Sequence, residues 1–193
     1  MKFSKADIRM AMRLRLGTLP AAKRAAASES ICSRIRDREP WQAAGSVLLF
    51  VSLKDEPDVW PLIEEALAVG RQVALPRYDP ARQAYAACWV RDLERDLVPG
   101  KFGIVEPAPE LPVIAAPAVD LVLTPGLAFD AQGHRLGRGK GYYDRLLAEV
   151  SGRRCGVTFE FQVAPEIPAE PHDICMDSLV TEEQWREFAR GNG

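Results

Sequence analysis

The residues best suited to chemistry lie within 133–145, GHRLGRGKGYYDR, where Gly137, Gly139 and Gly141 alternate with Arg138 and Lys140. Glycines let backbone amides approach an anion without obstruction, and a helix beginning just after such a loop adds its positive end. Phosphate is the natural guest. Arg135, Arg138 and Lys140 add cationic contacts, so a polyphosphate with spread charge fits better than a single carboxylate. Asp144 has two readings on spacing alone: it caps the helix starting near Tyr142 and Tyr143, or it holds Mg²⁺ against the phosphates. The bland alternative for the whole stretch is a flexible turn whose charges face water.

Two stock phosphate motifs are excluded. A Walker A loop needs a glycine five positions before Gly139 and Ser or Thr after Lys140, but His134 and Gly141 stand there. The dinucleotide fingerprint needs its third glycine where Tyr142 stands.

The elements around this loop position it. Ser4 and Asp7 have capping-box spacing, opening a helix with Ile8, Met12 and Leu16 on one stripe. A second helix runs through LPAAKRAAASESICSRIRD, with Pro20 at its start and Arg34, Arg36 and Arg38 near its end. SVLLFVSL has the length of a buried strand, and KDEPD is a loop. Asp58 can cap a helix through VWPLIEEALAVG to Gly70, and RQVALP is the next strand. Strand, helix, strand makes a βαβ unit, the local mark of a parallel sheet. Residues 77–118 hold one strand, QAYAACWV, and then a proline-rich stretch expected to run over the surface. AVDLVLTPGLAF is a further strand, YYDRLLAEV a helix, RRCGVTF a strand and SLV a short last one, and Thr181 is expected to open a terminal helix, EEQWREFAR. The glycine-rich stretch therefore follows a strand and precedes a helix, where open α/β sheets place ligands.

Composition limits the functions available. With 193 residues, 47% of them hydrophobic and 27% charged, the chain fits one domain over 1–193, with N-terminal helices over 4–38 packed on it. The formal net charge of -2 gives no global attraction for nucleic acid, so any basic site is local. The four cysteines are far apart and there are two histidines, which suggests reduced thiols rather than a zinc cage or a disulfide framework. The longest apolar stretches are about half the roughly 20 residues a membrane span needs. The Arg- and Ala-rich start invites comparison with a transit peptide, but Asp7 and Glu29 argue for mature protein. A monomer acting in the cytoplasm, with no membrane and no nucleic-acid partner, is expected.

TPGLAFDAQGHRLGRGKGYYDRLL resembles, without a gap, the signature of the 5-formyltetrahydrofolate cyclo-ligase (5,10-methenyltetrahydrofolate synthetase) family. KADIR, FVSLKDEPD, GKFGIVEP and the segment ending in IPAEPHDICMDSLVTEE are also similar in order and spacing, so the resemblance covers nearly the whole chain. It implies ATP contacts from Lys5, Arg9, Arg135, Leu136, Gly137, Arg138, Gly139, Lys140, Gly141, Tyr142 and Tyr143. Folate contacts are implied for Val51 and Glu56 and for Arg138, Gly139, Lys140, Gly141 and Tyr142, and Mg²⁺ at Asp144 and Asp177. Lys140, Arg138 and Tyr142 are then the catalytic candidates. The sequence departs from the pattern at Val59, three residues after Glu56, where the family often has Thr.

Each of these residues has a plainer reading beside it. Lys5 and Arg9 can form a solvated helix face, Glu56 a loop carboxylate, and His172-Asp173 a turn with no catalytic part. Trp89 and Tyr85 read as core or pocket wall rather than as a stacking platform.

The reaction implied is the ATP-dependent closure of 5-formyltetrahydrofolate, with or without a polyglutamate tail, to 5,10-methenyltetrahydrofolate. ADP and phosphate leave, in a ligation that makes a carbon–nitrogen ring bond in one-carbon metabolism. Phosphorylating the formyl oxygen makes a leaving group, and nitrogen 10 then attacks the formyl carbon. Such chemistry needs positioning and charge neutralisation rather than a protein nucleophile. The implied fold is a single α/β domain with a mostly parallel central sheet flanked by helices, among isomerase-like and CoA-transferase-like folds. The alternatives are another ATP-using or sugar-phosphate enzyme on a similar scaffold, a nucleotide- or folate-binding protein without turnover, and an RNA-binding module using its arginines.

Overall fold

The structure, a computed structural model, describes residues 3–115, 118–170 and 173–188. Ser4 opens helix α1 (Lys5–Gly17) with the expected capping box, its amide donating to the Asp7 carboxylate at 3.0 Å. Ile8, Met12 and Leu16 are the buried stripe of that helix. Helix α2 (Ala21–Arg36) follows Pro20 and buries Ile31, Cys32 and Ile35, and the short α3 (Glu39–Ala43) buries Trp41. Strand β1 (Ser46–Leu48), helix α4 (Trp60–Ala68) and strand β2 (Gln72–Asp79) form the expected βαβ unit, with β1 and β2 parallel. Asp58 Oδ1 accepts from the Trp60 amide at 3.0 Å, so it serves the first turn of α4 although Val59 holds the N-cap position.

Strand β3 (Ala84–Val90) returns antiparallel to β2, and β4 (Leu97–Pro99) pairs with β5 (Val105–Pro107) as a small hairpin. Then come β6 (Ala118–Pro125), β7 (Ala128–Asp130), β8 (Arg135–Leu136), helix α5 (Tyr142–Glu149), β9 (Ser151–Val157), β10 (Val163–Ala164), β11 (Ser178–Val180) and β12 (Trp185–Glu187).

Seven of these strands make the main sheet, in the order β12-β11-β9-β6-β1-β2-β3. The five inner strands are parallel and each edge strand is antiparallel to its neighbour. Both faces are covered, and strand residues alternate between them. Val47, Leu49, Val73, Leu75, Leu121 and Leu123 pack with the buried stripes of α2 and α4, whereas Leu48, Ala74 and Val122 pack with Leu146, Leu147 and Val150 around α5. Helix α1 packs on the three-stranded sheet β10-β7-β8, where Ile8 and Met12 meet Ala128, Leu136, Ala164 and Ile167.

From β1 the chain builds outward to β2 and β3; from β6 it builds the other way, to β9 and β11. The connection order reverses between β1 and β6, and a crevice opens outside the carboxyl ends of the strands at such a point.

Three sequence expectations are corrected. The strand expected over SVLLFVSL is hydrogen-bonded as β1 only through Leu48; Leu49 still donates to the Ala74 carbonyl at 3.0 Å, and the chain then leaves as a loop into the crevice. Residues 91–115 are not merely a surface run, because the β4–β5 hairpin buries Glu106 and presents Phe102 and Ile104 to a cavity. The terminal helix is absent from the described residues: Trp185–Glu187 pairs antiparallel with β11, the ladder running from Val180 opposite Trp185 to Ser178 opposite Glu187. Thr181 Oγ1 accepts from the amides of Glu183 and Gln184, so the side chain expected to cap a helix closes a hairpin turn instead. Residues 189 and 190 of that expected helix lie outside the described residues.

Candidate active site

A cleft of about 840 Å³, open mouth included, lies at the topological switch point. Pro125 and Gly126 at the end of β6 form its floor with Val51 and Leu53, which follow β1. One wall is the glycine loop from Gly137 through Gly141 into Tyr142, Tyr143 and Asp144; Tyr85, Phe102 and Ile104 close the other side. This size and its largely apolar lining with a few convergent charges suit a small-molecule ligand.

The loop's geometry depends on its glycines at two positions. Gly139 has φ 97 with the Arg9 guanidinium 3.6 Å from where a Cβ would stand, and Gly141 has φ 66 at the N-cap of α5. Both conformations are rarely adopted by residues with a Cβ. No side chain caps α5, so the amides of its first turn remain available to an anion at the positive end of the helix. Arg9 Nε donates to the Gly137 carbonyl at 3.0 Å and Arg13 to that of Arg138 at 3.4 Å, so α1 pins the loop backbone from behind.

The basic side chains expected at phosphate are placed differently from one another. Lys140 is exposed at the rim of the cleft. Arg138 is held by carboxylates, its terminal nitrogen 2.7 Å from Asp55 Oδ1 and 3.1 Å from Glu56 Oε1, with Nε 3.3 Å from the same Glu56 oxygen. Arg135 is 7% exposed; it donates to the Pro125 carbonyl at 3.2 Å and pairs with Asp144. It is a fixed wall charge rather than a mobile grip. Leu136 is buried among Ile8 and Met12, so only its backbone faces the loop. Lys5 Nζ lies 2.8 Å from Asp173 and 3.4 Å from Glu170. Burial opposes its charge, but these two carboxylates hold its ammonium above the ordinary lysine value.

The carboxylates are also sorted by the structure. Asp144 does not cap α5; it lines the cleft and pairs with Arg135. Asp177 is not brought there. It precedes β11, its Oδ2 accepting from the Arg154 amide at 2.8 Å, and Arg154 is paired in register with Val122, three residues short of the Pro125 floor. Along parallel strands that is about 10 Å toward the amino ends of the strands. Among the described residues there is no group of three or more His, Cys, Asp or Glu side chains able to hold a metal. Glu56 is buried and reaches the cleft; its Oε2 accepts from the Leu53 amide at 3.0 Å. Burial pushes its carboxyl above the ordinary value, against the pull of Arg138 and that amide.

Tyr142 stands in an aromatic wall, its ring centroid 5.1 Å from Tyr78, 5.8 Å from Tyr85 and 6.4 Å from Phe102. Lys101 Nζ sits 3.5 Å from the Tyr78 ring centroid. The Lys101 hydrogen bond holds the Tyr78 phenol below its ordinary value, while the bond with Tyr78 pushes Tyr142 up. Tyr143 packs 5.2 Å from Tyr85, and desolvation raises its phenol well above the ordinary value. Tyr85 is thus cleft wall, whereas Trp89 packs against the buried cluster around α5.

Sequence reasoning read Asp173 as part of a turn and missed Asp55, Tyr78, Lys101 and Phe102. The glycines at 100 and 103 were the available signal for the last two: Phe102 takes φ 68 and Gly103 φ 75, a tight hairpin tip that aims Phe102 at Tyr142. Val59, the departure from the family pattern, is wholly buried in the core and lines no part of the cleft. His172 lies outside the described residues.

The arrangement, then, is an uncapped helix end and a glycine loop lining a cleft, with a buried carboxylate paired to the loop's Arg138. It can hold a phosphate-bearing molecule beside an apolar ring with polar edges. A protein from Mycolicibacterium smegmatis named 5-formyltetrahydrofolate cyclo-ligase is 33% identical over 183 residues, 92% of this chain and 93% of its own. A mouse protein of the same name is 27% identical over 196 residues, covering 93% of this chain and 94% of its own. The solved structure of Aquifex aeolicus 5,10-methenyltetrahydrofolate synthetase superposes with a TM-score of 0.86 at 34% identity, over 98% of this chain and 95% of that one. The sequence pattern of one family spans residues 1–182, and with the cleft, the loop and these relatives it leads to one conclusion: the chain belongs to the 5-formyltetrahydrofolate cyclo-ligase family.

Proposed function

We propose that this chain closes 5-formyltetrahydrofolate to 5,10-methenyltetrahydrofolate at the expense of ATP, in the cleft between β1 and β6. The observation that carries the reading is that one cleft joins an uncapped helix N-terminus behind a glycine loop to a buried carboxylate, Glu56, within a largely apolar lining. The triphosphate lies along Gly137–Gly141 and the first turn of α5. The pterin ring lies against Val51 and Leu53 with its amino edge on Glu56.

The formyl oxygen is a poor leaving group until phosphorylated. Transfer of the γ-phosphoryl group to that oxygen breaks the bond to ADP and leaves an electrophilic iminium carbon. Nitrogen 10 attacks that carbon and loses its proton, the carbon–oxygen bond breaks, and phosphate departs with the former formyl oxygen. Lys140 at the rim supplies the charge that grows in importance as the phosphoryl group moves, and the amides of Gly139, Gly141 and Tyr142 donate to its oxygens. Arg138 bridges the two substrates, and Tyr142 packs beside the formyl group. Lys5 and Arg9 support the far end of the phosphates from α1. Mg²⁺ uses few protein carboxylates when phosphates supply oxygens, and Asp144 on the cleft wall fits that need. Bound there, the ion would neutralise phosphate charge. Asp177, toward the amino ends of the strands, has no part in this reading.

A monomer in the cytoplasm completes the proposal, in keeping with four unpaired cysteines and no helix long and apolar enough to cross a membrane among the described residues. The test follows the near-ultraviolet absorbance of the conjugated product with 5-formyltetrahydrofolate, ATP and Mg²⁺, each omitted in turn. Product requiring all three is expected. Binding of ATP and folate without product would make the chain a binding protein instead.

A further inference from the structure

Arg138 lines the cleft beside both Glu56 and the glycine loop, and its side chain is held by carboxylates. Its guanidinium fork rests on Glu56 and Asp55, two carboxylates of the loop after β1. Glu56 Oε1 takes both the Nε and the terminal nitrogen of Arg138, at 3.3 and 3.1 Å, and Oε2 takes the Leu53 amide at 3.0 Å. A carboxylate offers about four lone-pair directions, two on each oxygen. Three are therefore occupied, and Oε1 is full.

A pterin ring presents its 2-amino group and the adjacent ring N–H side by side, the same paired-donor edge that a guanidinium presents. To dock on a carboxylate it needs one lone pair on each oxygen. It cannot do so at Glu56 while Arg138 keeps both directions of Oε1. We propose that folate and Arg138 exchange on Glu56, so that folate binding releases Arg138 to the phosphates and couples the two substrates. The inference rests on the cyclo-ligase reading of the cleft.

Four features make the exchange cheap. The remaining hold on Arg138 is one hydrogen bond to Asp55, whose side chain is 30% exposed and lines no part of the cleft. The Arg138 side chain is itself 35% exposed and can swing. Its backbone need not move, because Arg9 and Arg13 of α1 hold the carbonyls of Gly137 and Arg138. Glu56 stays paired throughout, so its buried charge is not stranded. The consequence is order: the phosphate site gains its bridging cation only when a phosphoryl acceptor is present, which guards ATP against transfer to water.

Linkage makes the coupling reciprocal and measurable. The affinity of the wild-type chain for a β,γ-imido ATP analogue with Mg²⁺ should rise by about 5- to 150-fold when 5-formyltetrahydrofolate is saturating, the span of typical couplings. Folate affinity should rise by the same factor when the analogue is saturating. Asp55→Ala removes the second hold on Arg138 without touching the cleft lining. It should tighten analogue binding in the absence of folate and shrink the coupling factor. Equal analogue affinity with and without bound folate would overturn the exchange, as would a coupling of wild-type size in Asp55→Ala. A chain that binds both ligands and forms product but shows no coupling sinks this inference alone. A chain that forms no product sinks the reading beneath it.

Discussion

Asp144→Asn tests the two tasks assigned to one carboxylate. In the structure Asp144 pairs with Arg135, whose side chain is 3% exposed against 35% for Asp144. Removing one partner of a fully buried pair costs about 3–5 kcal/mol, whereas exposed pairs contribute about 0.2–1 kcal/mol. The Arg135 end is desolvated and the Asp144 end is not, which places the loss at about 2 kcal/mol. Arg135 would keep the Pro125 carbonyl at 3.2 Å and a neutral amide oxygen in place of the carboxylate, so its buried charge loses its counter-charge, and its Nε already lies buried without a partner. For a chain of this size a kcal/mol shifts Tm by about 2–4 °C, so a fall of about 4–8 °C is expected in thermal unfolding without ligands. The second readout is the Mg²⁺ concentration giving half-maximal turnover, measured below the variant's unfolding range. If Asp144 touches the phosphate-bound ion, that concentration should rise by roughly 10-fold or more, at least the effect usual for groups that only support a metal ligand. An unchanged Tm would refute the buried-charge reasoning. A lowered Tm with an unchanged Mg²⁺ requirement would leave Asp144 as a strut for Arg135 and remove it from the metal.

Other outcomes follow from the same geometry. Lys140→Ala should lower kcat by about 100-fold with a smaller effect on the KM of folate, because its charge counts most as the phosphoryl group moves; unchanged turnover would contradict that place at the rim. Glu56→Gln should raise the KM of folate by roughly 10-fold or more, since a hydrogen bond to a charged group contributes about 1.5–3 kcal/mol. Affinity for the ATP analogue alone should hold or improve as Arg138 loosens, and equal loss of both ligands would indicate a folding defect. Away from the cleft, Asp120 Oδ2 accepts from the Gly45 and Ser46 amides at 2.9 and 2.8 Å, and these bonds lower its pKa from the ordinary 3.8. A depressed carboxyl contributes stability that is full above its unfolded pKa and is lost as pH falls through the folded one. The Tm gap between wild type and Asp120→Asn should therefore be constant above about pH 5 and close as pH drops below that range; a gap that widens in acid would invert the sign of the argument.

What was legible in the sequence was what rests on local chemistry. Ser4 and Asp7 close their capping box within one turn, the short apolar runs around Val47, Val73 and Leu121 mark covered strands, and Gly139 and Gly141 mark backbone only glycine adopts readily. What failed was decided by partners distant in the chain. Thr181 offers the same hydroxyl to a helix start or a hairpin turn, and only pairing with β11 selects the strand at Trp185. Phe102 looked like surface loop because nothing near it in sequence says that a hairpin tip will meet Tyr142. Asp177 was assigned by likeness of motif, and its register opposite Arg154, toward the amino ends of the strands, is set by a pairing that the motif does not show.

The charges of the cleft carry a further lesson about anion sites. Counting basic residues in 133–145 suggests a strongly positive loop, yet the structure pairs Arg135 with Asp144 and Arg138 with Asp55 and Glu56, while Lys5 meets Asp173 and Glu170. A cluster of unpaired cations would repel itself and destabilise the folded chain before any ligand arrived. Pairing each with a carboxylate removes that cost and fixes the side chains in place. What remains to attract a polyphosphate is the exposed Lys140 and Arg145, Arg9 behind the loop, the uncapped amides of α5, and whatever cation a second ligand can release. On the exchange proposed at Glu56, a substrate also trades partners with a charge already placed, and affinity for one becomes a function of the presence of the other.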